Sequence, residues 1–234
     1  MPDSGVPFVI GVKRSLFRLH DPFREEADEA FRRIRQSALA RDHFTCQFCG
    51  MQTSRSEKRP SGYFEVHHLN NDHRENRLEN LATVCPFCHQ VFHAGMAARG
   101  PEPGVAIFFP WLDQWKLNRL CHVLFVLMEI APDPSHKTEA ERVYHLLQDA
   151  ATDLKGFFGE DAKKLSSFSK AIAELPENLY DKRAEALSSV RILPIRDVFE
   201  DAVRYWAERM NASIPVGSWS QILKNALRQS EGKA

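Results

Sequence analysis

Several features that would identify a protein class outright are missing from this sequence. It has no net charge: lysine plus arginine and aspartate plus glutamate both total 31. No molecule-wide field therefore draws it to nucleic acid or to an anionic membrane, and any such attraction has to be local. It has no uncharged run of about 18 residues, the minimum for a membrane-spanning helix, and the early Asp3 with its brief apolar run does not make a signal peptide. The expectation is a soluble cytoplasmic protein with no direct membrane insertion. A disulfide framework also fits poorly. There are five cysteines, an odd count, and 234 residues at 43% hydrophobic content can build a core without cross-links. Neither an internal repeat nor a low-complexity tract is visible.

What is present is cysteine in a metal-binding pattern. Cys46-Gln47-Phe48-Cys49, followed by Gly50, places two thiolates two residues apart, and Cys85-Pro86-Phe87-Cys88 repeats the pair. In such a knuckle both sulfurs chelate one ion while the tight turn aims backbone amides at them. Two pairs complete a tetrahedral four-sulfur site with no open position, which is the signature of structural zinc. The competing readings are two unrelated buried pairs or a redox Cys-x-x-Cys, although a redox motif stands alone at a helix start without a second pair. Cys121, in an apolar helix, reads as a small core residue.

Around this site the chain reads as α+β: a small ββα-metal zinc module followed by a larger, all-helical C-terminal region. Residues 1–43 hold a strand or hairpin over Val6–Leu19 and an amphipathic helix over Arg24–Arg41, with acidic residues in its first turns. Residues 44–98 form the module: a polar loop over Met51–Gly62, a strand over Tyr63–Leu69, a polar excursion to Asn80, a strand over Leu81–Phe87 and a helix over Cys88–Ala98. Arg99–Gly104, with Pro101 and Pro103, marks a boundary. Residues 105–230 then give a short strand over Val105–Phe109. Helices are predicted over Trp111–Ile130, Lys137–Phe158, Asp161–Leu175, Glu177–Ile192, Ile195–Met210 and Ser218–Arg228.

The histidines supply a second constellation. Glu65-Val66-His67-His68-Leu69 is followed by Asn80-Leu81 and then by His89 and His93, four apart, so that both imidazoles share one helix face and can share a metal. The order Cys-x-x-Cys-Gly, Glu-Val-His-His, Asn-Leu, Cys-x-x-Cys-His and a final His resembles the HNH, or ββα-metal, nuclease family. The resemblance implies that His67, His89 and His93 hold a catalytic divalent cation (magnesium, manganese, nickel or zinc) against the scissile phosphate. It makes His68 the general base and Asn80 the brace that orients it. An imidazole can take a proton from water near neutral pH, and a cation stabilises charge developing on phosphoryl oxygens. In a regular strand His67 and His68 face opposite sides, so the strand is expected to bend at its end. His73, among Asp72, Arg74 and Glu75, reads as a solvated loop residue.

A second resemblance covers more of the chain. Phe44-Thr45-Cys46-Gln47-Phe48-Cys49-Gly50, Asn76-Arg77-Leu78-Glu79-Asn80-Leu81, Leu117 through Phe125 (LNRLCHVLF) and Arg191-Ile192-Leu193-Pro194 are similar to the IcmJ/DotN family. It implies an HNH-like zinc fold with a helical extension, acting as an adaptor docked on the coupling ATPase of a type IVB (Dot/Icm) secretion or conjugation system. The protein would then sit at the inner face of the inner membrane through its partners. By that resemblance secretion-system members keep the cysteines and lack the nuclease histidines, whereas this chain has both sets.

Charge offers a local clue. Between Arg32 and Arg59 basic residues outnumber acidic ones, and Arg55, Lys58 and Arg59 are the candidate DNA backbone contacts. A solvated helix face and loop would have the same composition. The leading expectation is a metal-dependent HNH endonuclease associated with type IV secretion or conjugation. The alternatives are an adaptor with relic histidines and a DNA-binding zinc protein that does not cut.

Overall fold

The structure, a computed structural model, describes residues 8–12, 24–72, 74–95, 101–159, 161, 163–213 and 215–219. His73 and most of the expected Ser218–Arg228 helix lie outside them, as does the expected Val6–Leu19 strand except for residues 8–12. That described stretch has no regular secondary structure. Gly11 donates to the Val91 carbonyl (2.9 Å) and accepts from Ala94 N–H (3.0 Å), while the Tyr180 hydroxyl donates to Val12 (3.0 Å).

Helix α1 (Arg24–Arg41) leads into the first cysteine pair. The antiparallel strands β1 (Glu65–His68) and β2 (Leu81–Val84) pair with Glu65 opposite Val84, His67 opposite Ala82 and His68 opposite Leu81. Helix α2 (Pro86–Phe92) follows at once. The second strand ends earlier than Phe87 because Cys85 caps the helix and Pro86 takes its first position, where its fixed φ and missing N–H suit a helix start. Strand β1 begins only at Glu65, since Tyr63 has a left-handed φ of 67°. The expected bend between His67 and His68 is absent. Both lie in the paired strand, and the turn comes afterwards, where Asn71 N–H reaches the His68 carbonyl at 2.9 Å.

The rest is mostly helical and packs on one small sheet. In chain order come β3 (Gly104–Phe108), α3 (Gln114–Ile130), α4 (Pro134–Asp149), α5 (Ala151–Phe158), α6 (Leu165–Ala173), α7 (Glu177–Tyr180), α8 (Arg183–Ala186), β4 (Val190–Pro194) and α9 (Glu200–Ser213). The single helix expected over Lys137–Phe158 is broken at Ala150, whose carbonyl accepts from Phe108 N–H (3.2 Å). The helix expected over Glu177–Ile192 is two single turns and a strand. Val190, Ile192 and Leu193 are buried, and antiparallel pairing with β3 outweighs local helical propensity. No described helix is long and apolar enough to cross a membrane.

The module and the helical region share one core. Trp206 of α9 is 1% exposed, meets Phe64 and Phe87 edge-on at 6.1 and 5.7 Å, and donates its indole N–H to the Gly62 carbonyl at 2.8 Å. At constant zinc, Trp206→Ala is expected to cost about 3–5 kcal/mol in urea denaturation. A loss below about 1 kcal/mol would mean that α9 is not part of the module's core.

Candidate metal centres

Four sulfurs converge at the base of the module. Cys46, Cys49, Cys85 and Cys88 are fully buried, with their sulfurs within 4.8 Å of one another and Cys49 to Cys85 at 3.7 Å. Tetrahedral zinc with bonds of about 2.3 Å requires sulfur–sulfur edges near 3.8 Å, so this donor set fits the ion. Ionisation points the same way. Hydrogen bonds from Cys46, Cys85 and Cys88 hold the Cys49 thiol well below its ordinary value, while burial pushes Cys85 and Cys88 well above theirs. A dication at the centre lets all four become thiolates without that conflict.

The knuckle turn needs Gly50. Its φ is +73°, and a Cβ there would lie 2.6 Å from the Arg119 guanidinium, whose Nε donates to the Cys49 carbonyl at 2.8 Å. Helix α3 supports the sulfurs with polar residues one turn apart. Asn118 Nδ2 donates to Cys88 Sγ (3.1 Å) and to the Phe87 carbonyl (3.1 Å), and His122 Nε2 lies 3.4 Å from Cys85 Sγ. Gln114 Nε2 donates to Asn118 Oδ1 (2.9 Å) and clasps Ile192 of β4 through both of its backbone groups (2.8 Å each). These residues lay unread in the sequence. The available signal was Gln114, Asn118 and His122 recurring every four residues within an apolar helix. Cys121, also buried, has its thiol pushed up by desolvation alone, as suits a core residue.

The second centre lies between β1 and α2. One nitrogen from each of His67, His89 and His93 falls within 4.8 Å of the others, with His93 Nε2 3.2 Å from His67 Nδ1. Nitrogens sharing a tetrahedral cation at about 2.0–2.1 Å stand near 3.3 Å apart, so this group too can hold a divalent metal. The cysteine knuckle positions it: Phe48 packs on Phe92 (centroids 4.8 Å), and Phe92 stacks on His67 (4.3 Å). Glu65 shares the β1 face with His67 and pairs with His89 Nδ1, leaving His89 Nε2 for a metal. Burial tends to raise the Glu65 carboxyl, but the charge and hydrogen bond of His89, with the Arg35 charge, bring it below the usual carboxylate range.

His68 lies on the other face of β1, 2% exposed. Its ring packs on Phe31 (4.9 Å) and its Nε2 is 2.9 Å from Asn76 Oδ1. The direct hold on His68 thus comes from Asn76 rather than from Asn80. Asn80 secures the intervening loop, accepting from Asn70 N–H (3.1 Å) and donating to Asn70 Oδ1 (2.9 Å) and the Glu75 carbonyl (2.8 Å). Arg55, Lys58 and Arg59 sit in the exposed loop before β1, which packs on α9 rather than on the histidines.

A four-cysteine knuckle pair under a ββα unit with histidines on strand and helix defines an HNH-type zinc protein, and residues 46–95 match the HNH endonuclease family. Beyond the module, 181 residues, 77% of this chain and 80% of the relative, are 33% identical to the type 4 apparatus protein DotN of Legionella pneumophila subsp. pneumophila strain Philadelphia 1. The chain belongs to the DotN family.

If Asn118 supports the zinc thiolates, Asn118→Ala will weaken zinc binding by about 10–100-fold in competition with a chromogenic chelator. Unchanged affinity would remove that residue from the metal centre.

Proposed function

We propose that this DotN-family protein retains a divalent-cation site at His67, His89 and His93 and hydrolyses DNA phosphodiester bonds there. The convergence of those nitrogens within 4.8 Å, with Glu65 on His89, supports this reading most directly. When bound, the cation would supply Lewis-acid stabilisation of phosphoryl oxygens. The chain's own groups do the rest. Glu65 orients His89, Phe92 holds the His67 ring, and Asn76 Oδ1, 2.9 Å from His68 Nε2, positions the His68 imidazole that would take a proton from water. Zinc at the four cysteines serves folding alone.

The second reading, a non-catalytic adaptor, draws on the relative's description as a type 4 apparatus protein. There the helical region would dock on a coupling ATPase or another secretion component and hold the protein at the inner face of the inner membrane. Co-purification from cells carrying the secretion genes tests it, and a protein recovered alone counts against it.

Metal content separates the two readings. The nuclease reading expects two metals per chain and one in His89→Ala, together with cation-dependent nicking of plasmid DNA. His68→Ala should lose about 10²–10⁴-fold in nicking rate while keeping its circular dichroism spectrum. A single metal per chain, or equal nicking in the variant, would sink the hydrolase reading.

A further inference from the structure

The loop over residues 52–63 and helix α9 build a surface that the metal chemistry leaves unused. Tyr63 and Tyr205 meet edge to face with ring centroids 5.3 Å apart. Each carries a guanidinium over its ring: Arg59 lies 4.7 Å from the Tyr63 centroid and Arg209 3.5 Å from that of Tyr205. Arg59, Tyr63, Tyr205 and Arg209 therefore form one continuous stack across the seam between module and helical region. The seam is pinned beneath it, since the Tyr205 hydroxyl donates to the Ser54 carbonyl (2.9 Å) and Trp206 to that of Gly62 (2.8 Å).

Several arginines elsewhere are tied to carboxylates. Arg196 and Arg204 share Glu129, Arg142 pairs with Glu139, and Arg77 with Glu75. Among the described residues, neither Arg59 nor Arg209 has a carboxylate partner. A guanidinium held over an aromatic ring has already lost much of its rotamer freedom, and its fork of N–H donors matches phosphate geometry. Arg55 and Lys58 are exposed in the same loop and add cations beside it.

Connectivity ties this surface to the histidines. Tyr63 is four residues before His67, so the two lie within about 14 Å of each other. A strand of duplex DNA covers that in about four steps of 3.4 Å. A polynucleotide with a phosphodiester at the histidines can thus set a phosphate a few nucleotides along on the stack, whereas an acidic peptide has no reason to span both.

We propose that Arg59, Tyr63, Tyr205 and Arg209 form a backbone-binding platform for DNA held at the His67–His89–His93 site, so that helix α9 supplies half of the nucleic-acid surface. This rests on the nuclease reading. Fluorescence anisotropy of the full chain with a short labelled duplex, no divalent cation added, tests it. Arg59→Ala combined with Arg209→Ala should weaken binding about tenfold or more and lower the slope of log affinity against log salt by about two. Lys170→Ala, on α6, should leave both unchanged, and circular dichroism confirms that each variant is folded. A wild-type slope in the double variant overturns the platform, as does absence of DNA binding by the wild type. Polyglutamate displacing the duplex as well as unlabelled DNA does would assign the surface to an acidic protein partner. Nicking is scored separately: nicking with an unchanged slope removes the platform alone, and a lowered slope without nicking removes the nuclease alone.

Discussion

Four thiols brought to one point in a dry core are the constraint on which the rest of this structure depends. Buried thiolates repel one another and lose hydration, so without a cation the cluster opposes the fold that creates it. With a dication the same geometry contributes on the order of 10 kcal/mol to folding. The strands tied together in this way are only four residues each, too short to be stable as an isolated hairpin. The consequence travels through contact rather than charge. Phe48, inside the first knuckle, packs on Phe92, and Phe92 stacks on His67. The knuckle and the three imidazoles are thus linked through packed rings.

Helix α3 extends that dependence into the helical region. Its buried face carries Gln114, Asn118 and His122 where an ordinary core helix would carry leucines. Each of these polar groups has its partner: the β4 backbone for Gln114, sulfur and carbonyl for Asn118, sulfur for His122. Buried polar groups cost free energy unless satisfied, and these are satisfied only when both the metal cluster and β4 are in place. Module and helical region are thus expected to fold as one cooperative unit, despite the proline-rich stretch between them.

What could be read from the sequence follows from the range of the physics. Cysteine pairs at fixed spacing and histidines four apart on a helix are local patterns, and the structure assembles both groups of ligands from the residues named. The amphipathic period of α1 is equally local, and its helix spans Arg24–Arg41. Strand β4 was illegible because its partner, β3, lies far away in the chain, and a run such as Val190-Arg191-Ile192-Leu193 becomes a strand only when that partner is present. Asn76 was illegible for a related reason. Nothing about a loop asparagine announces that a turn will carry its amide to His68, and Asn80 has that role in the sequence only through the HNH resemblance.

The two candidate metal centres carry different kinds of information. Four buried cysteines placed to hold a structural zinc serve the fold, so nuclease and adaptor alike would have them. The histidines are not required in that way. A phenylalanine in place of His67 would keep the stack on Phe92, although not the 3.2 Å contact with His93 Nε2. Three imidazoles crowded within 4.8 Å, with a carboxylate on one of them, instead oppose stability, because like charges that close repel one another when the rings are protonated. A cation removes that opposition by taking one lone pair from each ring, while Glu65 takes the opposite edge of His89. The arrangement makes physical sense as a binding site and poor sense as a core, and for that reason retained chemistry would lie with the histidines and not with the zinc.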